Sequence, residues 1–80
     1  MTMGEAVAKR IDQYLSERKI TLYKLARNTC LPVSTLRNLY CGHTKSPTLS
    51  LVFRIADGLG VSPLEFLDCE LFSSENIDLD

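Results

Sequence analysis

The sequence predicts an all-α domain of five short helices. Three observations carry that expectation. Apolar residues recur at three- and four-residue spacing in successive stretches of the chain. Ser, Thr, Pro and Gly stand between those stretches at positions where helices begin and end. No stretch alternates apolar and polar residues as a half-buried strand does, and no internal repeat is present.

The first helix is expected over about 4–19. Val7, Ile11, Tyr14 and Leu15 form its apolar stripe, and Thr2 with Glu5 has capping-box spacing. Ile20-Thr21 breaks the pattern. Thr21 is a good N-cap for a second helix of about 22–28, striped by Leu22, Leu25 and Ala26. A short connection, Asn28 to Pro32, follows, and proline at its end marks a helix start. The third helix is expected from about Val33 to Cys41, stopped by Gly42. After the polar loop His43 to Pro47, Ser46-Pro47 signals a fourth helix of about 48–58. Val52, Ile55, Ala56 and Leu59 form its stripe, and Gly58 and Gly60 end it. Ser62-Pro63-Leu64-Glu65 is the clearest start signal: Ser at N-cap, Pro at N1, Glu at N3. It opens a fifth helix of about 63–70 with Leu64, Phe66 and Leu67.

Eighty residues fit one domain, and 45% hydrophobic content is too apolar for a disordered chain. Residues 1–72 are expected to form the domain, and 73–80 an acidic, flexible tail. No run reaches the roughly 18 to 20 apolar residues of a membrane span, and the opening residues lack the apolar core of a secretory leader. A cytoplasmic location is expected. Three Cys without a CxxC fit reduced thiols better than disulfides or zinc. Cys41-x-His43 matches no standard zinc spacing, so no metal or other cofactor is expected. Apolar burial is the ordinary place for such thiols. One His, no Trp and no nucleophile with an orienting partner argue against an enzyme and against a small-molecule substrate.

The net charge of −1 hides a segregation. All nine basic residues lie between Lys9 and Arg54, where the only acids are Asp12 and Glu17. From Asp57 onward there are seven acids and no base. The body of the chain therefore offers an anion-binding face that the overall charge conceals.

The second and third helices are separated by three or four residues, the spacing of a helix-turn-helix. Leu25, Ala26, Leu31, Leu36 and Leu39 are placed to pack such a corner from inside. The run LYKLARNTCLPVSTLRNLYCGHTKSP followed by LVFRIADGLGVSPLEFL resembles the Cro/lambda-repressor-like helix-turn-helix family. Leu25-Ala26, Ser34-Thr35-Leu36, Gly42, Pro47 and Leu59-Gly60-Val61-Ser62 carry the resemblance, from about Arg10 to Leu67. It implies a compact lambda-repressor-like fold and major-groove DNA binding by the third helix. Three residues depart from the family's pattern. Cys30 replaces the Gly usual in the turn, Pro32 replaces a Ser/Thr cap, and Leu22 stands where many relatives carry a phosphate-contacting Gln.

By resemblance, Val33, Ser34 and Asn38 match base-contacting positions, with Arg37 adjacent. Their chemistry suits the role. Asn pairs with adenine, Arg with guanine, Ser with several edges, and Val touches a thymine methyl. His43, Thr44 and Lys45 match the family's backbone-contacting loop, and Thr21, Tyr23, Arg27 and Arg10 are weaker phosphate candidates. Tyr40 is expected in the core. The resemblance implies a transcriptional regulator, a repressor, that binds a near-palindromic double-stranded operator as a homodimer. Leu64, Leu71, Phe72, Ile77 and Leu79 are the apolar residues available near the C-terminus for dimerisation. The competing reading is a protein-interaction module, antitoxin-like or anti-repressor, that keeps the fold without DNA as its main ligand.

Overall fold

The computed structural model describes residues 1–78 as helices and short turns. The helices are α1 Met3–Arg18, α2 Leu22–Thr29, α3 Val33–Tyr40, α4 Leu49–Leu59 and α5 Pro63–Leu67, followed by a 3-10 turn, Glu70–Phe72. Four of the five begin where a side-chain oxygen accepts a backbone N–H three residues on. Thr2, Thr21, Thr48 and Ser62 do this. At α1 the Glu5 carboxylate also accepts the Thr2 N–H, which completes a capping box. Glu5 is thereby held below the usual glutamate range, chiefly by that backbone N–H and then by the Thr2 hydroxyl.

The helix ends share one device. Lys19, Cys30 and Gly60 adopt left-handed backbone at the ends of α1, α2 and α4. The next residue then donates its N–H five residues back: Ile20 to Leu15, Leu31 to Ala26 and Val61 to Ala56. Ile20, Leu31 and Val61 all pack against the core. Each helix end is thus closed by hydrogen bonds and pinned by an apolar side chain.

The core is built from Val7, Ile11, Tyr14 and Leu15 of α1, Leu25 and Ala26 of α2, Leu36 and Leu39 of α3, and Val52, Ile55, Ala56 and Leu59 of α4, with Phe66 of α5. These are the stripes that periodicity predicts. Two backbone approaches depend on glycine. A Cβ on Gly4 would lie 1.7 Å from the Thr44 carbonyl oxygen. A Cβ on Gly58 would lie 2.4 Å from Thr29 Cγ2. Gly4 seats the start of α1 on the loop after α3, and Gly58 seats α4 on the end of α2.

Several expectations are corrected. The fourth helix starts at Leu49, within a residue of the expected start, but its cap is Thr48 rather than the Ser46-Pro47 signal. Thr48 has the extended backbone and the Leu51 N–H that a cap needs. Gly58 lies inside α4 and only Gly60 ends it. The fifth helix stops at Leu67, where Arg10 takes the carbonyls of Glu65 and Phe66 and the chain turns to lay Phe72 on Phe66, with ring centroids 6.1 Å apart. Cys30 and Cys41 are exposed and Cys69 is half-buried, so none of the thiols sits in the core. Leu64 is in solvent rather than in the apolar stripe of α5.

Composition predicts a frayed segment from Ser73. In its described part, residues 73–78, the Asn76 side chain donates to the Glu70 carbonyl and Ile77 is buried. The Met1 amino group donates to the Asn76 carbonyl and pairs with Asp78 at 3.3 Å. Of the apolar residues expected to form a C-terminal dimer face, Leu71 and Phe72 are half-buried and Ile77 is buried, which leaves Leu64 exposed. Leu79 lies outside the described residues.

Candidate nucleic-acid interface

The corner between α2 and α3 is held from inside by the residues expected there. Leu25, Ala26, Leu36 and Leu39 are buried, and Leu31 packs half-buried against them. The three-residue turn, Cys30 to Pro32, works without glycine. Cys30 has φ 60°, and its N–H donates to the Arg27 carbonyl. That left-handed geometry is strained for a residue with a Cβ. Thr29, buried beneath the turn, donates its hydroxyl to the Ala26 carbonyl and accepts the Leu31 N–H. Pro32 precedes α3 and gives it no side-chain cap. The first N–H groups of α3 therefore carry the positive end of the helix dipole unneutralised by any side-chain oxygen of the cap residue.

With Leu36 and Leu39 fixed in the core, the other side of α3 faces outward. Ser34, Arg37 and Asn38 are exposed, as is Cys41 just beyond the helix. Val33 differs from them: it is half-buried and packs against the core. Leu22 is likewise half-buried against the core, which explains an apolar residue at that position.

Tyr40 is exposed rather than buried. Its hydroxyl donates to the Asp12 carboxylate of α1 at 2.5 Å. This hydrogen bond, with some help from burial, holds the phenol above its usual range. It also ties the last turn of α3 to α1. Sequence reading placed Tyr40 in the core because the period of α3 continues to it. Asp12 is one of two acids in the basic stretch, and a partner on another helix lies beyond local reading of the sequence.

The loop after α3 is continuous with the exposed helix face. Cys41 donates its N–H to the Arg37 carbonyl, Gly42 to Leu39 and His43 to Asn38. Gly42, at φ 83°, makes the left-handed step. This is the closure used at the ends of α1, α2 and α4 with one difference. There the following residue is apolar and packs inward, whereas here it is His43, which is exposed. Thr44 is half-buried and Lys45 exposed, and the Lys45 carbonyl accepts the Gly4 N–H at 2.8 Å. The loop is thereby anchored through its backbone, while the side chains of His43 and Lys45 are exposed and, among the described residues, have no hydrogen-bond or ion-pair partner.

Among the weaker candidates, Thr21 caps α2 through its hydroxyl. Tyr23 and Arg27 are exposed and four residues apart, so they share one outer stripe of α2. Arg10 is not available. It donates to the carbonyls of Phe66 and Glu65 and to the Tyr14 hydroxyl. Among the described residues no three His, Cys, Asp or Glu side chains converge into a metal-binding group. No helix there is long and apolar enough to cross a membrane.

The comparisons with known proteins agree with this geometry. A crystal structure of prophage Lp1 protein 11 has the same fold, with a TM-score of 0.80 at 24% identity over 92% of this chain and 97% of that one. Comparison with curated proteins gave no match. The family model of the Cro/C1-type HTH DNA-binding domain matches residues 10–71, from the middle of α1 to the turn beyond α5. With the buried corner between α2 and α3, that match makes this chain a member of the Cro/C1-type helix-turn-helix family, a DNA-binding protein.

Proposed function

We propose that the protein is a transcriptional regulator, a repressor, that reads a specific double-stranded DNA sequence by laying α3 in the major groove. The observation that carries the reading is the polar outer face of α3, Ser34, Arg37 and Asn38, on a helix locked to the core by Leu36 and Leu39. A rigid helix that presents hydrogen-bonding side chains outward is the form in which base edges are read. Arg37 pairs with the O6 and N7 of guanine, Asn38 pairs with adenine, and Ser34 bonds either edge. Val33, half-buried, approaches a thymine methyl.

The uncapped start of α3 holds a phosphate through its free N–H groups. His43, Thr44 and Lys45 form the second phosphate contact, with Thr21, Tyr23 and Arg27 along α2 as a third. The regulator, bacterial or phage-encoded, acts in the cytoplasm as a homodimer on a near-palindromic operator. No small-molecule substrate, cofactor or membrane enters this mechanism.

Selection from a randomised duplex pool, followed by anisotropy titration at two salt concentrations, tests it. A two-fold symmetric motif should be enriched. Arg37→Ala and Asn38→Ala should each relax preference at one base pair, by about 1–3 kcal/mol. Lys45→Ala should weaken all sequences alike and reduce the salt slope by about one. Absence of salt-dependent binding, or wild-type selectivity in both α3 variants, would refute the reading and leave an interaction module in its place.

A further inference from the structure

The outer face of α4 is used neither by the core nor by the DNA reading. Leu49 and Phe53, one turn apart on it, are 65% and 50% exposed. Two shallow grooves run along this face. One is lined by Leu49, Ser50 and Phe53, and the other joins Phe53 to Arg54, Asp57 and Pro63. Large apolar side chains gathered in this way on a small domain mark a surface that another macromolecule covers.

The charges on the face identify the occupant. Arg54 and Asp57 lie three residues apart, on neighbouring positions of one helix face. Both are exposed, and among the described residues neither is ion-paired within the chain. A wholly acidic or basic partner would meet one favourable and one unfavourable charge here. A second copy, related by a two-fold axis, meets neither mismatch. In such a contact residue i meets j and j meets i, so one Arg and one Asp make two reciprocal ion pairs around an apolar centre.

We propose that the outer face of α4 is the self-association surface of this protein, with Phe53 near the two-fold axis and each Arg54 paired with the partner's Asp57. This rests on the homodimer reading and assigns its interface. The face contains none of the side chains given to base or phosphate contacts, so both protomers keep α3 free.

The test is sedimentation equilibrium of the full chain as wild type, Arg54→Asp, Asp57→Arg, the double exchange and Phe53→Ser, with circular dichroism to verify helical content. Either single exchange sets like charges against each other and should raise the dimer dissociation constant at least about tenfold. The double exchange rebuilds both pairs with their signs reversed and should return to within a few-fold of wild type. Phe53→Ser should dissociate the dimer without loss of helix. A monomeric wild type at the highest soluble concentration would overturn the proposal. So would single exchanges that associate as wild type does, or a double exchange no tighter than the singles. A half-site duplex at low salt separates the two readings. If all variants bind it while wild type stays monomeric, the interface fails alone. If none binds it while the charge-exchange pattern holds, the DNA reading fails and the interface stands.

Discussion

Replacing Gly4 with Ala should destabilise the domain, opposite in sign to what helix propensity alone gives. Gly4 is the second residue of α1, and Ala there improves helix formation by at most about 1 kcal/mol. Against that gain stands a collision. The new Cβ would lie 1.7 Å from the Thr44 carbonyl oxygen and 2.8 Å from its carbonyl carbon, both backbone atoms. No side-chain rotation relieves the clash, so α1 and the loop after α3 must separate. Separation removes the bond from the Gly4 N–H to the Lys45 carbonyl, about 1 kcal/mol, and forces a repacking that costs about 2 kcal/mol. The net loss is about 2 kcal/mol, which lowers the Tm of a domain this size by about 10 °C. Thermal and denaturant unfolding of Gly4→Ala measure it. The same variant should weaken DNA binding if the loop that moves holds phosphate as proposed, through His43, Thr44 and Lys45. An unchanged or raised Tm would refute the reasoning, since it would mean that α1 and the loop are not in backbone contact.

Cys30→Gly should stabilise the protein by about 1 kcal/mol in denaturant titration, because it removes the Cβ from a left-handed residue. A loss of stability would mean that the thiol makes a contact worth more than the strain. Gly58→Ala should destabilise through the contact with Thr29 Cγ2, and much of that loss should vanish in a Thr29→Ser background, which removes the obstructing methyl. Additive effects in the double-mutant cycle would contradict the packing of α4 on α2. The lowered Glu5 value sets a pH dependence. Its contribution is fully present above the ordinary glutamate value of about 4.3 and is lost as pH falls through the lower folded-state value. Glu5→Gln retains a capping side chain but cannot titrate, so its stability curve should be flatter over that acidic window. Parallel curves for variant and wild type would count against the capping box.

The helical frame was legible because its signals are local. The Thr2, Thr21 and Ser62 caps, and the stripes of α1 and α4, depend on residues within a few positions of one another. What escaped depends on distant partners. Ser46-Pro47 has the form of a helix start, yet Thr48 is the residue whose side chain reaches an N–H in the next turn. The early end of α5 depends on Arg10, more than fifty residues away in sequence. Tyr40 leaves the core for Asp12, a partner on another helix. The face of α3 was readable from its period, except that Val33 lies at the boundary and is half covered. The roles of Gly4 and Gly58 could not be read at all. A glycine required by a neighbouring backbone looks the same in sequence as one that merely ends a helix.

The guanidinium groups that fasten the fold bear on how this protein searches DNA. Arg10 fastens α1 to α5 through two carbonyls, and Arg18 donates to the Leu59 carbonyl at the end of α4, both lying over the Tyr14 ring. Of nine basic residues, these two are held by carbonyls of their own chain, Arg10 half-buried and Arg18 still exposed. Each phosphate neutralised on a duplex releases about 0.9 of a counterion, so holding Arg10 to its own chain lowers the ceiling on sequence-independent affinity. A protein with that lower ceiling leaves a wrong site sooner and spends more of its time sampling new ones. On the proposed reading, its residence at the right site then depends on the hydrogen bonds of α3, and internal fastening of α1 becomes a determinant of selectivity at a distance from any base.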